Sequence, residues 1–459
     1  MVMASKILNT IDMPCHEIIH PWVTSCCNAS TGLLIHSIQT SLRIYVTTYT
    51  LTLLMKGRKP TKKELKQTLL NILQSTAFLS CHSFGLLSAM CLLRRLFGKF
   101  NVLSVAFLPC SLSSLVAILI ERPSRRGLLS LYVTNVASET FYNMMVNRGI
   151  IKPIRYGDLF IFGSSITLLL YFFRGQHNKT DSIYSLLRFV VGSSEENNYK
   201  KPLLSPQTHQ SGKSNQGIIR QAITDIYQAY CTIDSELKTI WTSDLCPHTY
   251  GCLYYILSSG TRLFLVGYTL QLSLKLLQVN QILRDPSYIF KLMISSDTFS
   301  LGAFLGGFAS IYRIVSCLMR RFLGKDSKYI CIPAGLLASL TYCVYRNNSI
   351  TLYVMLKTLQ IMYIKGSNDG HFPDLPRANI FFYCFSTAIL IHAAILEPHN
   401  LRPSYWKFLQ SLSGETVGLI DRNYLDIFGL KSSESFKSVL KTYKPVPSRV
   451  FKFKSNIIS

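Results

Sequence analysis

Apolar residues in this chain fall in long runs, without the three-to-four-residue alternation that marks a helix half-immersed in water. Residues 101–120, 159–173 and 329–345 contain no charged side chain, and 67–93 and 378–396 each contain a single histidine. A bilayer core of about 30 Å takes roughly 20 helical residues to cross, so these five runs predict membrane-spanning helices. Residues 32–55 and 250–274 are similar but carry Arg43 and Arg262, and 127–146 and 349–364 are interrupted by Glu139 and Lys357. These four predict helices that either span or lie in the interface. Residues 298–312, cut short by Arg313, complete the set.

The pattern occurs twice. Ala77-Phe78-Leu79, Cys91-Leu92, Arg94-Arg95 and Gly98-Lys99 recur at unchanged spacing as Ala303-Phe304-Leu305, Cys317-Leu318, Arg320-Arg321 and Gly324-Lys325. Pro109 to Arg122 matches Pro333 to Arg346, and Arg43 with Tyr49-Thr50-Leu51 matches Arg262 with Tyr268-Thr269-Leu270. The expected fold is therefore an all-α, polytopic membrane protein of two tandem repeats, each of about four to five helices. The reading divides the chain into a Cys/His-containing segment (1–31), a first repeat (32–191), a polar linker (192–245), a second repeat (246–412) and a basic tail (413–459). An odd number of spans per repeat would invert the second copy, and an even number would leave both parallel.

Composition agrees. Hydrophobic residues make up 48% of the 459 and charged residues 15%, with a formal charge of +25. That balance excludes an ordinary soluble domain. Basic residues flank nearly every predicted helix on both sides, so the positive-inside rule assigns no orientation. Residues 1–30 show neither a secretory signal nor an Arg-rich presequence. The 13 cysteines are scattered, many inside apolar runs, and are expected as free thiols. Residues 401–409, with Tyr405, Trp406 and Lys407, suggest an interfacial anchor. Beyond it, Lys437, Lys441, Lys444, Arg449, Lys452 and Lys454 suggest a tail drawn to anionic lipid.

Few motifs carry chemistry. His16-Glu17-Ile18-Ile19-His20 fits HExxH, in which one helical turn aims two imidazoles at zinc beside a general-base glutamate. Pro14 and Pro21 bracket it too tightly for a long helix, and neither a third ligand nor a second copy of the motif follows. A broader cluster precedes the first long helix, with Cys15, His16, His20, Cys26 and Cys27. Cys246, His248 and Cys252 precede or open its counterpart. Irregular spacing argues against a metal there, so none is expected, and Cys15, His16, His20 and Cys26 stand as the candidate ligands if one binds. Arg43, Arg262, Glu139 and Lys357 are charges inside apolar segments, where burial without a partner is costly. Arg43 and Arg262 call for a partner such as Glu139, an anionic substrate or a headgroup. Gly302, Gly306 and Gly307 give one helix a face suited to close packing. Phosphate loops, dinucleotide fingerprints and nucleophile elbows are absent, so no catalytic residue and no cofactor is expected.

Two resemblances extend this reading. The second repeat, from Leu301 through Cys317, Arg320-Arg321 and Ala334-Gly335 to Arg346, resembles the small four-helix translocase subunits of the mitochondrial inner membrane. Residues 72–79, 117–129, 301–306 and 401–409 resemble the transmembrane protein 135 (peroxisomal membrane protein 52) family over nearly the whole chain, linker and tail excepted. That resemblance implies a multi-pass, non-enzymatic protein of mitochondrial and peroxisomal membranes, acting in the fission–fusion balance, mitochondrial metabolism, peroxisome organisation and lipid metabolism. The partners it implies are the bilayer and the cytosolic organelle-division machinery. A second copy of the chain is a further candidate partner, and nucleic acid is not one. The alternative is a conduit for lipids or anionic metabolites, suggested by the repeats and the matched Arg43 and Arg262.

Overall fold

Capping residues, prolines and glycines cut the apolar runs into helices in the computed structural model, which describes residues 9–175, 182–196, 235–243, 245–276 and 287–442. Helix α1 (Cys26–Met55) starts at Ser25, whose hydroxyl accepts the Asn28 amide. Helix α2 (Lys62–Phe97) starts with a capping box. The Thr61 hydroxyl accepts from the Glu64 amide, and the Glu64 carboxylate accepts from the Thr61 amide. It stops at Gly98, which adopts the left-handed φ of 67° that glycine takes without strain. Helix α3 (Phe107–Ile120) ends where Glu121 turns extended, and Pro123 opens α4 (Pro123–Asn147). Then come α5 (Gly157–Gly175), α6 (Ser182–Val191), α7 (Cys252–Leu276), α8 (Tyr288–Ile294) and α9 (Ser296–Leu323). They are followed by α10 (Cys331–Ser339), α11 (Asn348–Asn368), α12 (Ala378–Leu396), α13 (Pro403–Ser413) and α14 (Ser432–Thr442). No strand occurs among the described residues. One isolated antiparallel bridge joins Ile11 to Phe100.

Four stretches are long and apolar enough to cross a bilayer: Lys62–Phe97, Gly157–Gly175, Phe290–Leu323 and Ala378–Leu396. Two expected spans are shorter than the sequence implies. In 101–120, only the 14 residues of α3 are α-helical, a rise of about 21 Å at about 1.5 Å per residue. Asn101 accepts from the amides of Leu103 and Ser104 through its side chain and holds the preceding residues in a turn. In 329–345, the nine-residue α10 tightens into a 3-10 helix, Leu340–Val344. Helices α1 and α7 have the length, but Ser, Thr and Gln residues interrupt their apolar sequence and they are not among the four.

Chain contacts group the residues into two units, one of Met1–Pro153 with Gly366–Ser459 and one of Ile154–Lys365. These units do not follow the order of the sequence copies. Helix α5 lies in the second unit, where Phe162 stacks on Tyr342 at 4.7 Å and meets Phe304 edge-on at 5.9 Å. Helix α12 lies in the first unit, where it packs on α3 and α4 and buries Ala388, Ile391 and Ile395. An apolar helix settles on the face that fits it, and sequence order does not enter that choice.

Part of the packing departs from that of a protein in water. On α3 the small side chains Cys110, Ser114 and Ala117 are fully buried, while Val116 is 57% and Leu119 is 54% exposed. Hydrocarbon gives no reason to hide a leucine, so close approach of small residues holds the helices instead. The second unit takes this furthest where α7 meets α9. A Cβ on Gly306 would lie 2.8 Å from the Gly260 carbonyl oxygen, and one on Gly302 would lie 2.7 Å from that of Phe264. Gly307 faces another element, Thr341, at 3.1 Å.

The expected interfacial anchor is instead core. Residues 403–413 form α13, and Trp406 is buried in the first unit at 1% exposure. Much of the expected tail is folded as well. Leu425 and Phe428 are buried, and Arg422 donates to the Ala394 and Ile395 carbonyls at the end of α12. Burial pushes the Arg422 guanidinium down to about 9. The helix C-terminus and the Phe436 ring, 4.1 Å from the guanidinium carbon, face its charge. Most of the linker, and Lys444, Arg449, Lys452 and Lys454, lie outside the described residues.

Gly306→Val is expected to force α7 and α9 apart at a cost of about 1–3 kcal/mol. The thermal midpoint of the detergent-solubilised protein should fall by several degrees, whereas Val116→Ala should leave it nearly unchanged. Equal midpoints for wild type and Gly306→Val would refute the close approach.

Candidate metal centres

The segment before α1 is tied down at several points. Ile11 exchanges two backbone hydrogen bonds with Phe100, at 2.8 and 2.9 Å. Arg94, near the end of α2, donates to the Met13 carbonyl at 3.0 Å and to the Asp12 carboxylate at 3.1 Å. A single helical turn, Cys15–Ile18, follows Pro14 and buries Ile18. The next residues bend so that His20 Nδ1 meets the Val23 carbonyl at 2.7 Å. Cys26 is the first residue of α1, and Cys91 projects from α2. The thiols of Cys15, Cys26 and Cys91 and an imidazole nitrogen of His20 all lie within 4.8 Å of one another.

The second unit contains a like arrangement. Cys246 and His248 precede α7, Cys252 is its first residue, and Cys317 projects from α9. Their ligand atoms also lie within 4.8 Å of one another, and all four residues are buried. His248 Nδ1 meets the Tyr250 carbonyl at 2.5 Å, and its ring stacks on Tyr255 at 4.5 Å. In both groups Nδ1 faces a carbonyl, which only accepts. It therefore carries the proton, and Nε2 presents a lone pair to the thiols. That nitrogen lies 3.6 Å from Cys91 Sγ in the first group and 3.6 Å from Cys317 Sγ in the second.

Their electrostatics differ. Burial, then Cys26, raises the Cys15 thiol above its ordinary value. In the second group the hydrogen bond with Cys317 outweighs burial and pushes Cys246 down to about 4. Arg321 Nη2 also approaches Cys252 Sγ at 3.5 Å. Each group offers one imidazole and three sulfurs to a single ion, a soft donor set suited to metal binding without an exchangeable position.

Residues 12–146 match the family model described as the N-terminal cysteine-rich region of Transmembrane protein 135. Over that stretch the chain is similar to the transmembrane protein 135 family. No solved structure matches it. The matched family region contains every residue of the first Cys/His group and stops short of the second.

The sequence-predicted residues separate into distinct places. Of the four named candidates, Cys15, His20 and Cys26 converge, while the His16 side chain is 40% exposed beside Glu17. HExxH is thus split: its helical turn ends at Ile18, before the second histidine. Cys27 is exposed. Cys91 and Cys317 complete the groups, and the signal for them was their unchanged separation from Cys26 and Cys252 across the repeat.

The intramembrane charges do not share a cavity. Glu139 accepts from Arg402 Nε at 2.9 Å, so its partner is not Arg43. Arg43 and Arg262 are exposed on their helices, and Arg262 lies over the Phe189 ring at 5.3 Å. Long side chains placed this way can carry their charge toward headgroups. Lys357 is buried and donates to Gln360 at 3.0 Å.

A buried ion network that the sequence did not reveal stands beside the second group. Glu195, fully buried, accepts from Arg320 Nη1 at 3.1 Å and Nη2 at 2.5 Å, and from the Tyr255 hydroxyl at 3.4 Å. Arg174 and Arg320 both donate to Asp326, at 2.6 and 3.0 Å. Tyr255 therefore links the His248 ring to the network.

Burial pushes the Glu195 and Asp326 carboxyls up, but Arg320 and Arg174 outweigh it and hold both below their ordinary 4.5 and 3.8. The stability they contribute is complete above those ordinary values and is lost as pH falls through the depressed folded ones. The thermal midpoint is expected to hold between pH 7 and about pH 5 and to drop below about pH 4.5. Glu195→Gln, which leaves Arg174 and Arg320 to share Asp326 alone, should cost up to about 3–5 kcal/mol at pH 7 and flatten that acid limb. A variant whose acid profile superimposes on wild type would remove Glu195 from this role.

Proposed function

We propose that this chain is a non-enzymatic, multi-pass protein of mitochondrial and peroxisomal membranes that regulates the mitochondrial fission–fusion balance and mitochondrial metabolism and takes part in peroxisome organisation. The family match over residues 12–146 carries the reading, and the four apolar stretches long enough to cross a bilayer support it. Contact with lipid follows from the leucines that α1, α2 and α3 turn outward. An apolar cavity of about 270 Å³ in the first unit, lined by Leu79, Leu86, Leu87, Met90, Phe408 and Leu409 among others, has the chemistry of an acyl-chain site. That cavity supports the link to lipid metabolism. Action on the organelles would pass through the segments that face the cytosol, by recruiting or activating the division machinery.

The test is deletion and rescue in cells. Loss of the protein is expected to shift the distribution of mitochondrial lengths and the number and size of peroxisomes, and re-expression should restore both. Unchanged organelles after deletion, with the tagged protein in neither membrane, would overturn the reading.

A further inference from the structure

We propose that this protein is a zinc protein with two structural sites, one formed by Cys15, His20, Cys26 and Cys91 and the other by Cys246, His248, Cys252 and Cys317. This inference stands on geometry and does not depend on the organelle reading above. Tetrahedral zinc, with Zn–S of about 2.3 Å and Zn–N of about 2.0–2.1 Å, separates its ligands by about 3.8 Å between sulfurs and about 3.6 Å between sulfur and nitrogen. Cys246 and Cys252 are 3.8 Å apart, and both Cys–His pairs are 3.6 Å apart. Cys15 and Cys26, at 3.2 Å, are slightly inside that edge and well outside a sulfur–sulfur bond of about 2.05 Å. Both sets of four fall within 4.8 Å, which suits one ion. An iron–sulfur cluster would hold its ligands on two metals and spread them further.

Three further features point the same way. Each histidine donates from Nδ1 to a backbone carbonyl, the outer contact that fixes a zinc-ligating imidazole with Nε2 toward the metal. Cys26 and Cys252 each open a long helix, so both sites lie where a pre-helix segment joins its helix. The two sites also recur in one chain with different local spacings. Cys15 and His20 enclose four residues, Cys246 and His248 only one, yet the sulfurs and nitrogen reach the same arrangement. Chance proximity of free thiols does not explain the same donor set twice.

Four protein ligands leave no position for water or substrate, so the ions are structural and not catalytic. Each would fasten the segment before a long helix to the helix packed beside it. The first joins 15–26 to α2, and the second joins 246–252 to α9. Binding energy at such a site is folding energy for the segment it closes.

Full-length protein purified in detergent without chelator should contain two equivalents of zinc by elemental analysis. Cys91→Ser and Cys317→Ser should each retain one, and the double variant none. Cys27→Ser and Cys343→Ser, at exposed cysteines, should retain both. Because ligand variants can fail to fold, the wild-type zinc absorption edge provides a second measurement, expected to show three sulfurs and one nitrogen per ion. Zinc well below one equivalent after reconstitution, an oxygen-rich shell, or thiols that titrate only after reduction, as in disulfides, would overturn the proposal. One equivalent lost to Cys91→Ser but untouched by Cys317→Ser would overturn the second site alone.

Discussion

Hydrocarbon around a helix removes the usual reason for burying large apolar side chains, and the architecture follows from that constraint. With nothing gained by hiding leucine, helices associate where small residues let backbones approach. Cys110, Ser114 and Ala117 lie inside α3 while Val116 and Leu119 face outward. Gly302 and Gly306 leave no room for a Cβ against α7. The same constraint makes each polar group away from water depend on a partner. Asn101 therefore closes its own turn, Arg422 caps the end of α12, and Arg320 meets Glu195 with both terminal nitrogens.

These polar contacts concentrate at the ends of long helices. In the first unit Arg94 anchors the pre-helix segment, and the Cys15, His20, Cys26 and Cys91 group lies close by. In the second, Glu195, Tyr255 and the stacked His248 form a continuous chain to Cys317. Order at helix ends is what an apolar helix pair lacks by itself, because sliding along a smooth greasy face changes little. A cluster with fixed directions sets the register that dispersion forces leave loose.

The candidate site was legible only in part. Cys15, His20 and Cys26 stand close enough in sequence to be noticed together, but their spacing matches no common metal motif. His16 was as good a candidate by pattern and is turned away by a helix one turn long. Cys91 is distant in sequence, and only its conserved register in the second copy hinted at a role. Trp406 shows the opposite failure. Aromatic and basic residues side by side suggest an interface, yet the helix they form rotates the indole into the core.

The sequence by itself determined that the chain is helical, apolar enough for a membrane, and punctuated where Thr61, Gly98, Pro123 and Gly324 stand. Those outcomes depend on interactions within a few residues, and composition and pattern carry them in full. Tertiary structure decided which helix packs on which, placing α5 and α12 outside the order of the copies, and which cysteines meet. These outcomes depend on the shapes of whole faces and on contacts between residues far apart in the chain. No local pattern records them, because the energy that selects them exists only once the helices are packed.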